Sequence, residues 1–282
     1  MPASARRKAP TAVALDEEIP SINMLLYGKS GVGKTVFAAG RGGAQLTISC
    51  EKDKGMSAKR QGGTGKYIRC ADYEDFLAAI EAWEAGRYGN PEWTAFESLT
   101  SIQAKMIDWI LEREFGKQPE TRKRDVLQIQ DHLEYQNATR RLLSELCDVP
   151  RNKIFTAQDM NVETDGGDES VLPFLDGKKG GVANYACGMM TCVGYMKILH
   201  PKGSENIVRR TYWQPRPPYF AKDWTDSLGA YTDDLTLGDV WKRIKATDVG
   251  KPPARSRPRA ADPTVPRRPD AASRRAARAL FS

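Results

Sequence analysis

Two histidines, five cysteines and no long apolar run exclude several common chemistries at the outset. His132 and His200 lie far apart, and Cys50, Cys70, Cys147, Cys187 and Cys192 are scattered without a Cys-x-x-Cys pair. A zinc site needs a denser cluster of ligands, so the cysteines read as small buried hydrophobes. No stretch approaches the ~20 apolar residues of a membrane helix, so no membrane partner is expected. Residues 1–20 run basic and then acidic, without the apolar core of a secretory signal, and a cytoplasmic location is expected.

What is present is unevenly distributed. The chain has 282 residues, 40% of them hydrophobic, enough for one large domain or two small ones. Of its net charge of +7, all is matched by the last stretch: from Lys251 to Ser282 nine Lys and Arg stand against Asp262 and Asp270. Residues 250–282, dominated by proline and arginine, read as a disordered tail, either a solvated appendage or a segment drawn to polyanions. Residues 1–20 read as a disordered arm, leaving 21–249 as the folded domain.

Within that domain short apolar runs alternate with helical spacings. Ile22–Tyr27, Gln45–Cys50, Trp93–Phe96 and Lys153–Ala157 suit buried strands. Lys34–Ala39 suits the opening of a helix. Phe76, Leu77, Ile80 and Trp83 recur at helical spacing, as do Ile102, Met106, Trp109 and Ile110. A further helix is expected from about Val126 to Cys147, packing through Leu133, Tyr135, Leu142, Leu143 and Leu146. Arg122-Lys123-Arg124, between two helices, reads as a surface turn. Asp165–Asp168 reads as a hairpin-type turn or mobile loop, Thr191–Leu199 and Asn206–Trp213 as a strand pair joined by Pro201–Ser204, and Leu237–Ile244 as a last short helix. Strands alternating with helices imply an α/β fold, a three-layer sandwich around a mostly parallel sheet.

One motif is complete. Gly28-Lys29-Ser30-Gly31-Val32-Gly33-Lys34-Thr35 fits G-x-x-x-x-G-K-[ST], between an apolar strand and a helix-compatible segment. The glycines let successive backbone N–H groups turn inward onto phosphate oxygens, Lys34 reaches the β- and γ-phosphates, and the Thr35 hydroxyl joins a Mg²⁺ shell. No guanine-specific Asn-Lys-x-Asp motif is evident, which favours ATP.

Hydrolysis needs more: an acid for Mg²⁺, a group for the attacking water and a γ-phosphate sensor, placed at the carboxyl ends of neighbouring strands. Glu51, at the exit of the second strand, can orient or deprotonate water. Glu97 ends the third strand where an Asp usually holds the metal. Its extra methylene extends the carboxylate by ~1.5 Å, which either still serves a metal-bound water or impairs turnover. Gln158 ends the fourth strand, where an amide can bond a γ-phosphate oxygen or simply face solvent.

In this order Gly28–Thr35, Glu51, Glu97-Ser98-Leu99-Thr100 and Thr156-Ala157-Gln158 resemble the core of RecA-type ATPases. The resemblance is to phage RecA-like nucleotide-binding proteins, including the RecA-core branch of the Sak single-strand annealing proteins. Lys222-Asp223-Trp224 with Ser227-Leu228 also looks like that group. The resemblance spans about residues 20–230. It implies an ATP- and Mg²⁺-dependent ATPase in the cytoplasm of a phage host. Such a protein binds single-stranded DNA, promotes annealing or recombination beside a single-strand-binding protein, and forms homo-oligomers. It further implies Glu51 as the water-activating acid, Glu97 as the metal acid, and a flexible DNA-responsive loop over Gln158–Gly181, with Lys178 and Lys179 on phosphates. Sites of this type receive a cation from the neighbouring subunit, for which Lys222, Arg209 and Arg210 are candidates.

Two other functions fit the same loop. One is a nucleotide-gated DNA-binding module with little hydrolysis; the other is a small-molecule kinase, although no arginine-rich lid is apparent. The tail carries its own test. If it adds DNA affinity, deleting residues 250–282 flattens the dependence of log K on log salt, and an unchanged slope assigns it no phosphate contacts.

Overall fold

The computed structural model describes residues 21–52, 55–163, 169–201 and 206–247. The chain begins with strand β1 (Asn23–Tyr27), helix α1 (Lys34–Ala39), β2 (Leu46–Ser49), α2 (Met56–Arg60), β3 (Lys66–Arg69) and α3 (Tyr73–Glu84). It continues through β4 (Trp93–Glu97), α4 (Leu99–Lys117), α5 (Ile129–Asp148), β5 (Asn152–Ala157), β6 (Asp159–Glu163) and β7 (Glu169–Pro173). It closes with α6 (Gly181–Met189), β8 (Cys192–Leu199), β9 (Val208–Tyr212), β10 (Lys222–Asp223), β11 (Tyr231–Asp233) and α7 (Leu237–Ala246).

Among the described residues nine strands form one sheet, in the order β11-β9-β8-β1-β5-β4-β2-β3 with β10 against β8. β1 pairs parallel with β5 on one side and β8 on the other, and β2 and β4 extend the parallel run. β9, β10 and β11 add an antiparallel edge. This is the α/β sandwich around a mostly parallel sheet that the sequence implies.

Its two cores follow from the period-two alternation of a strand. In β1, Leu25 and Tyr27 join a cluster with Phe76, Trp83, Ile102 and Leu143, from α3, α4 and α5. Met24 and Leu26 point the other way, to Phe37 of α1 and Leu237 and Val240 of α7. A strand covered on both faces is apolar throughout, hence the unbroken run at 24–27. All five cysteines are buried thiols, and among the described residues no helix is long and apolar enough to cross a membrane.

Several expectations need correction. Leu133 is not a packing position: it is 62% exposed, with Ile129 at 90% one turn earlier on the same outer face of α5, while Asp131 and Tyr135 of these turns face inward and are buried. In the Arg122-Lys123-Arg124 turn Lys123 and Arg124 are exposed as expected, but Arg122 is only 6% exposed, ion-paired with the buried Asp131. The segment after Gln158 is not an open loop: β6 and β7 pair antiparallel, Lys178–Gly180 form a 3-10 turn, and α6 follows. Asp165–Asp168, the linker residues 202–204, the arm 1–20 and the tail 250–282 lie outside the described residues.

The Asp131 carboxylate also accepts the Gln128 amide at 2.7 Å, closing a capping box at the start of α5. Removing one partner of a buried ion pair leaves the other uncompensated. Asp131→Ala is therefore expected to destabilise the fold by about 3–5 kcal/mol, read by denaturant unfolding; a loss below about 1 kcal/mol, the scale of a surface pair, contradicts this.

Candidate functional site

The phosphate loop leaves β1 in the crevice between β5 and β8. Tyr27, the last residue of β1, is buried, and its hydroxyl donates to the carbonyls of Val171 at 2.9 Å and Phe220 at 2.6 Å. At Gly28 a Cβ would lie 2.3 Å from the Met196 carbonyl oxygen, so β8 presses on the start of the loop. Lys29, Ser30 and Gly31 form an exposed rim, whereas Val32 is buried and anchors the loop. Gly33 takes φ +109° as the N-cap of α1 and supplies no side-chain cap. The first-turn amides of α1, which lack intrahelical partners, are thus left to an external acceptor.

Lys34 folds back across the loop, its Nζ donating to the carbonyls of Gly28 at 2.8 Å and Lys29 at 2.9 Å. Burial lowers its pKa, while Asp159, Glu51 and Glu97 counteract that effect. Of the loop's two lysines, Lys34 is thus the one that feels the charge of three carboxylates, while Lys29 is exposed on the rim. Thr35 Oγ1 donates directly to Glu97 Oε1, which pairs two oxygen groups of the kind that could hold a magnesium ion. Glu97 is 3% exposed at the end of β4.

Glu51 follows β2, beside Glu97, because Ser49 and Glu97 are paired in register and the Cys50 amide donates to the Glu97 carbonyl at 2.8 Å. Its Oε1 accepts from the hydroxyls of Ser98 at 2.6 Å and Ser101 at 3.1 Å. Both serines lie at the start of α4, and Ser98 also accepts the Ser101 amide as N-cap. Both serine bonds fall on Oε1, which gives the carboxylate a defined orientation.

Gln158 is exposed, and its backbone is fixed: its amide donates to Thr100 Oγ1 at 3.1 Å, and its carbonyl accepts the Phe174 amide at 2.6 Å. Thr100 in turn donates to the Phe174 carbonyl at 2.9 Å. The β6–β7 hairpin is thus fastened at its base to the start of α4, in the same turn as the serines that hold Glu51.

The predicted cations divide. Lys178 and Lys179 are exposed in the 3-10 turn before α6. Lys222 lies toward the other end of the sheet, since β10 pairs with Cys192 and Val193 at the start of β8. Its ammonium donates to the Gly188 carbonyl at 3.0 Å and stacks 3.7 Å from the Trp224 ring centroid. The neighbouring Asp223 shapes a turn, accepting from the amides of Thr225, Ser227 and Leu228. Arg210 forms a two-pronged pair with Asp233, at 2.8 Å for each oxygen. Arg209 lies against Gly33.

Sequence reasoning missed Asp159, one residue past Gln158, which faces Lys34 electrostatically and accepts from the Tyr195 hydroxyl at 3.3 Å. It also missed the serines on Glu51. Their hint was the polar run Ser98-Leu99-Thr100-Ser101 directly after a strand-end acid. Two clefts, of about 270 and 360 Å³, lie at the opposite ends of β2 and β3 beside Ala44, Gly65 and Lys66, away from these side chains.

Among solved structures the chain is similar to a KaiC-like protein of Pyrococcus horikoshii OT3, at 13% identity and TM-score 0.38, over 68% of this chain and 78% of that one. It is also similar to the flagellar accessory protein FlaH of Methanocaldococcus jannaschii, at 13% identity and TM-score 0.34, over 69% and 78%. No curated protein matches it. Residues 21–225 match a family model described as an AAA domain. That span holds the phosphate loop, Glu51, Glu97 and the hairpin, and the chain belongs to the AAA domain family.

Proposed function

We propose that this protein is an ATPase that uses Mg²⁺ and ATP, binds single-stranded DNA and promotes annealing or recombination. The observation that carries the reading is the convergence of Lys34, the Thr35–Glu97 pair and a serine-oriented Glu51 at the carboxyl ends of adjacent strands.

The donor set fits magnesium, a hard cation that takes oxygen ligands and keeps several waters. Thr35 and Glu97 would hold it, and there it would neutralise charge on the β- and γ-phosphates. Lys34, released from the carbonyls of its own loop, pairs with the phosphates. Glu51 orients the attacking water through Oε2 and accepts its proton there, while Ser98 and Ser101 keep Oε1 occupied. Gln158 and the β6–β7 hairpin respond to the terminal phosphate through their shared anchor at Thr100. The exposed Lys178 and Lys179 beside that hairpin suit the DNA backbone. Action beside a single-strand-binding protein, as a homo-oligomer in the cytoplasm, completes the reading.

Two experiments test it. Lys34→Ala is expected to weaken Mg·ATP binding roughly tenfold to a hundredfold, the scale of one charge-assisted hydrogen bond, and to abolish stimulation of phosphate release by single-stranded DNA. Wild-type turnover indifferent to saturating single-stranded DNA sinks the DNA-dependent reading, and DNA binding tightened by ATP at background turnover points to gating instead. Ser98→Ala and Ser101→Ala are expected to slow turnover about tenfold at unchanged nucleotide affinity, by releasing Glu51. Ser101→Ala does so without loss of the α4 cap, so its unchanged turnover would show that the serines do not orient the acid.

A further inference from the structure

Arg209 and Arg210 are neighbours on β9, so their side chains leave opposite faces of the sheet. Arg210 goes to Asp233 and lies 3.7 Å from the Tyr231 ring centroid, fully committed to the edge of the fold. Arg209 turns to the face that carries α1 and crosses β8 to reach the phosphate loop of its own chain. A Cβ built at Gly33 would lie 3.0 Å from both Cδ and Nε of Arg209, and 3.9 Å from the Met196 sulfur. The approach is fixed at its root, since the Arg209 amide donates to Asp234 Oδ1 at 3.0 Å and its carbonyl accepts the Asp234 amide at 2.8 Å. Beyond that root the residue is exposed, and among the described residues its guanidinium enters no ion pair.

The charge balance of the loop gives this placement a use. Glu51, Glu97 and Asp159 act on Lys34 and offset part of its positive charge, which leaves room for a further cation at the loop. A planar guanidinium beside the last glycine of the loop supplies two donors to phosphate oxygens at a fixed angle. We propose that Arg209 is a second nucleotide-binding cation, supplied in cis to the phosphate loop of its own chain, and not one lent to a neighbouring subunit. The inference rests on the nucleotide site described above and changes the direction from which its extra cation comes.

The test compares Mg·ATP affinity of full-length wild type, Arg209→Ala and Arg209→Lys by titration calorimetry, with thermal melts to confirm folding. Arg209→Ala is expected to bind about tenfold more weakly, and Arg209→Lys to recover part of the loss. An equimolar mixture of Arg209→Ala and Lys34→Ala chains then separates cis from trans. A cis cation leaves the mixture as weak as its components, because no chain holds both groups. A trans cation restores tight binding at sites pairing Lys34 of one chain with Arg209 of the next. Unchanged affinity in Arg209→Ala, or restoration in the mixture, overturns the proposal. Absence of Mg·ATP binding by the wild type overturns the nucleotide site itself, a separate outcome.

Discussion

The parallel pairing of β1 between β5 and β8 is the constraint from which the site follows. Met24 to Tyr27 are paired residue by residue with Ile154 to Ala157 on one side and Cys192 to Tyr195 on the other. With β2 and β4 parallel to the same run, the carboxyl ends of four strands open in one row. The phosphate loop, Glu51, Glu97 and Gln158 are the residues that leave those ends. A slip of one residue in β1 would exchange its two faces, putting Leu25 and Tyr27 against α1 and moving Gly28 from beneath Met196. The cores on both sides therefore set the register that the chemistry needs.

The first turn of α4 converts this row of strand ends into a coupled unit. Its four residues divide the work by direction: Ser98 and Ser101 hold the carboxylate of Glu51, Leu99 is buried in the core, and Thr100 bridges Gln158 and Phe174 at the foot of the hairpin. Thr100 thereby ties the hairpin to the same turn of helix that holds Glu51. Tyr27 adds a second tie, from the residue before the phosphate loop to Val171 of β7. The hairpin is thus fastened to the site at two points, which a free glycine loop would not be.

The parts readable from sequence were those with strong periodicity or a fixed motif. β1, β4 and β5 are short apolar runs, α3 and α4 carry apolar residues at helical spacing, and the phosphate loop is fully specified by its glycines and Lys34. β3 was not visible, because Lys66–Arg69 is an edge strand with exposed ends and no apolar run. α6 was hidden by Gly177, Gly180 and Gly181, which read as breakers, although Val182, Ala183, Ala186 and Cys187 form a buried face at helical spacing. Arg122 misled because a basic cluster between helices resembles a solvated turn, and only the fold brings Asp131 to it. The serines on Glu51 and the reach of Arg209 depend on contacts between distant segments, which no local pattern encodes.

The length of Glu97 matters to how β4 meets α1. The extra methylene relative to aspartate carries the carboxylate ~1.5 Å farther from the strand, and here that length is spanned by direct contact with the Thr35 hydroxyl. Thr35 cannot approach on its own: α1 is held by Phe37 against the sheet, and Gly28 already touches the backbone of β8. An aspartate on the same backbone would leave a gap suited to a bridging water, whereas glutamate makes the link without one. Glu97 is buried, and the Thr35 hydroxyl donates to its carboxylate there. The longer acid is thus matched to the spacing between α1 and β4, and the acid and the hydroxyl are positioned as a pair before any phosphate arrives.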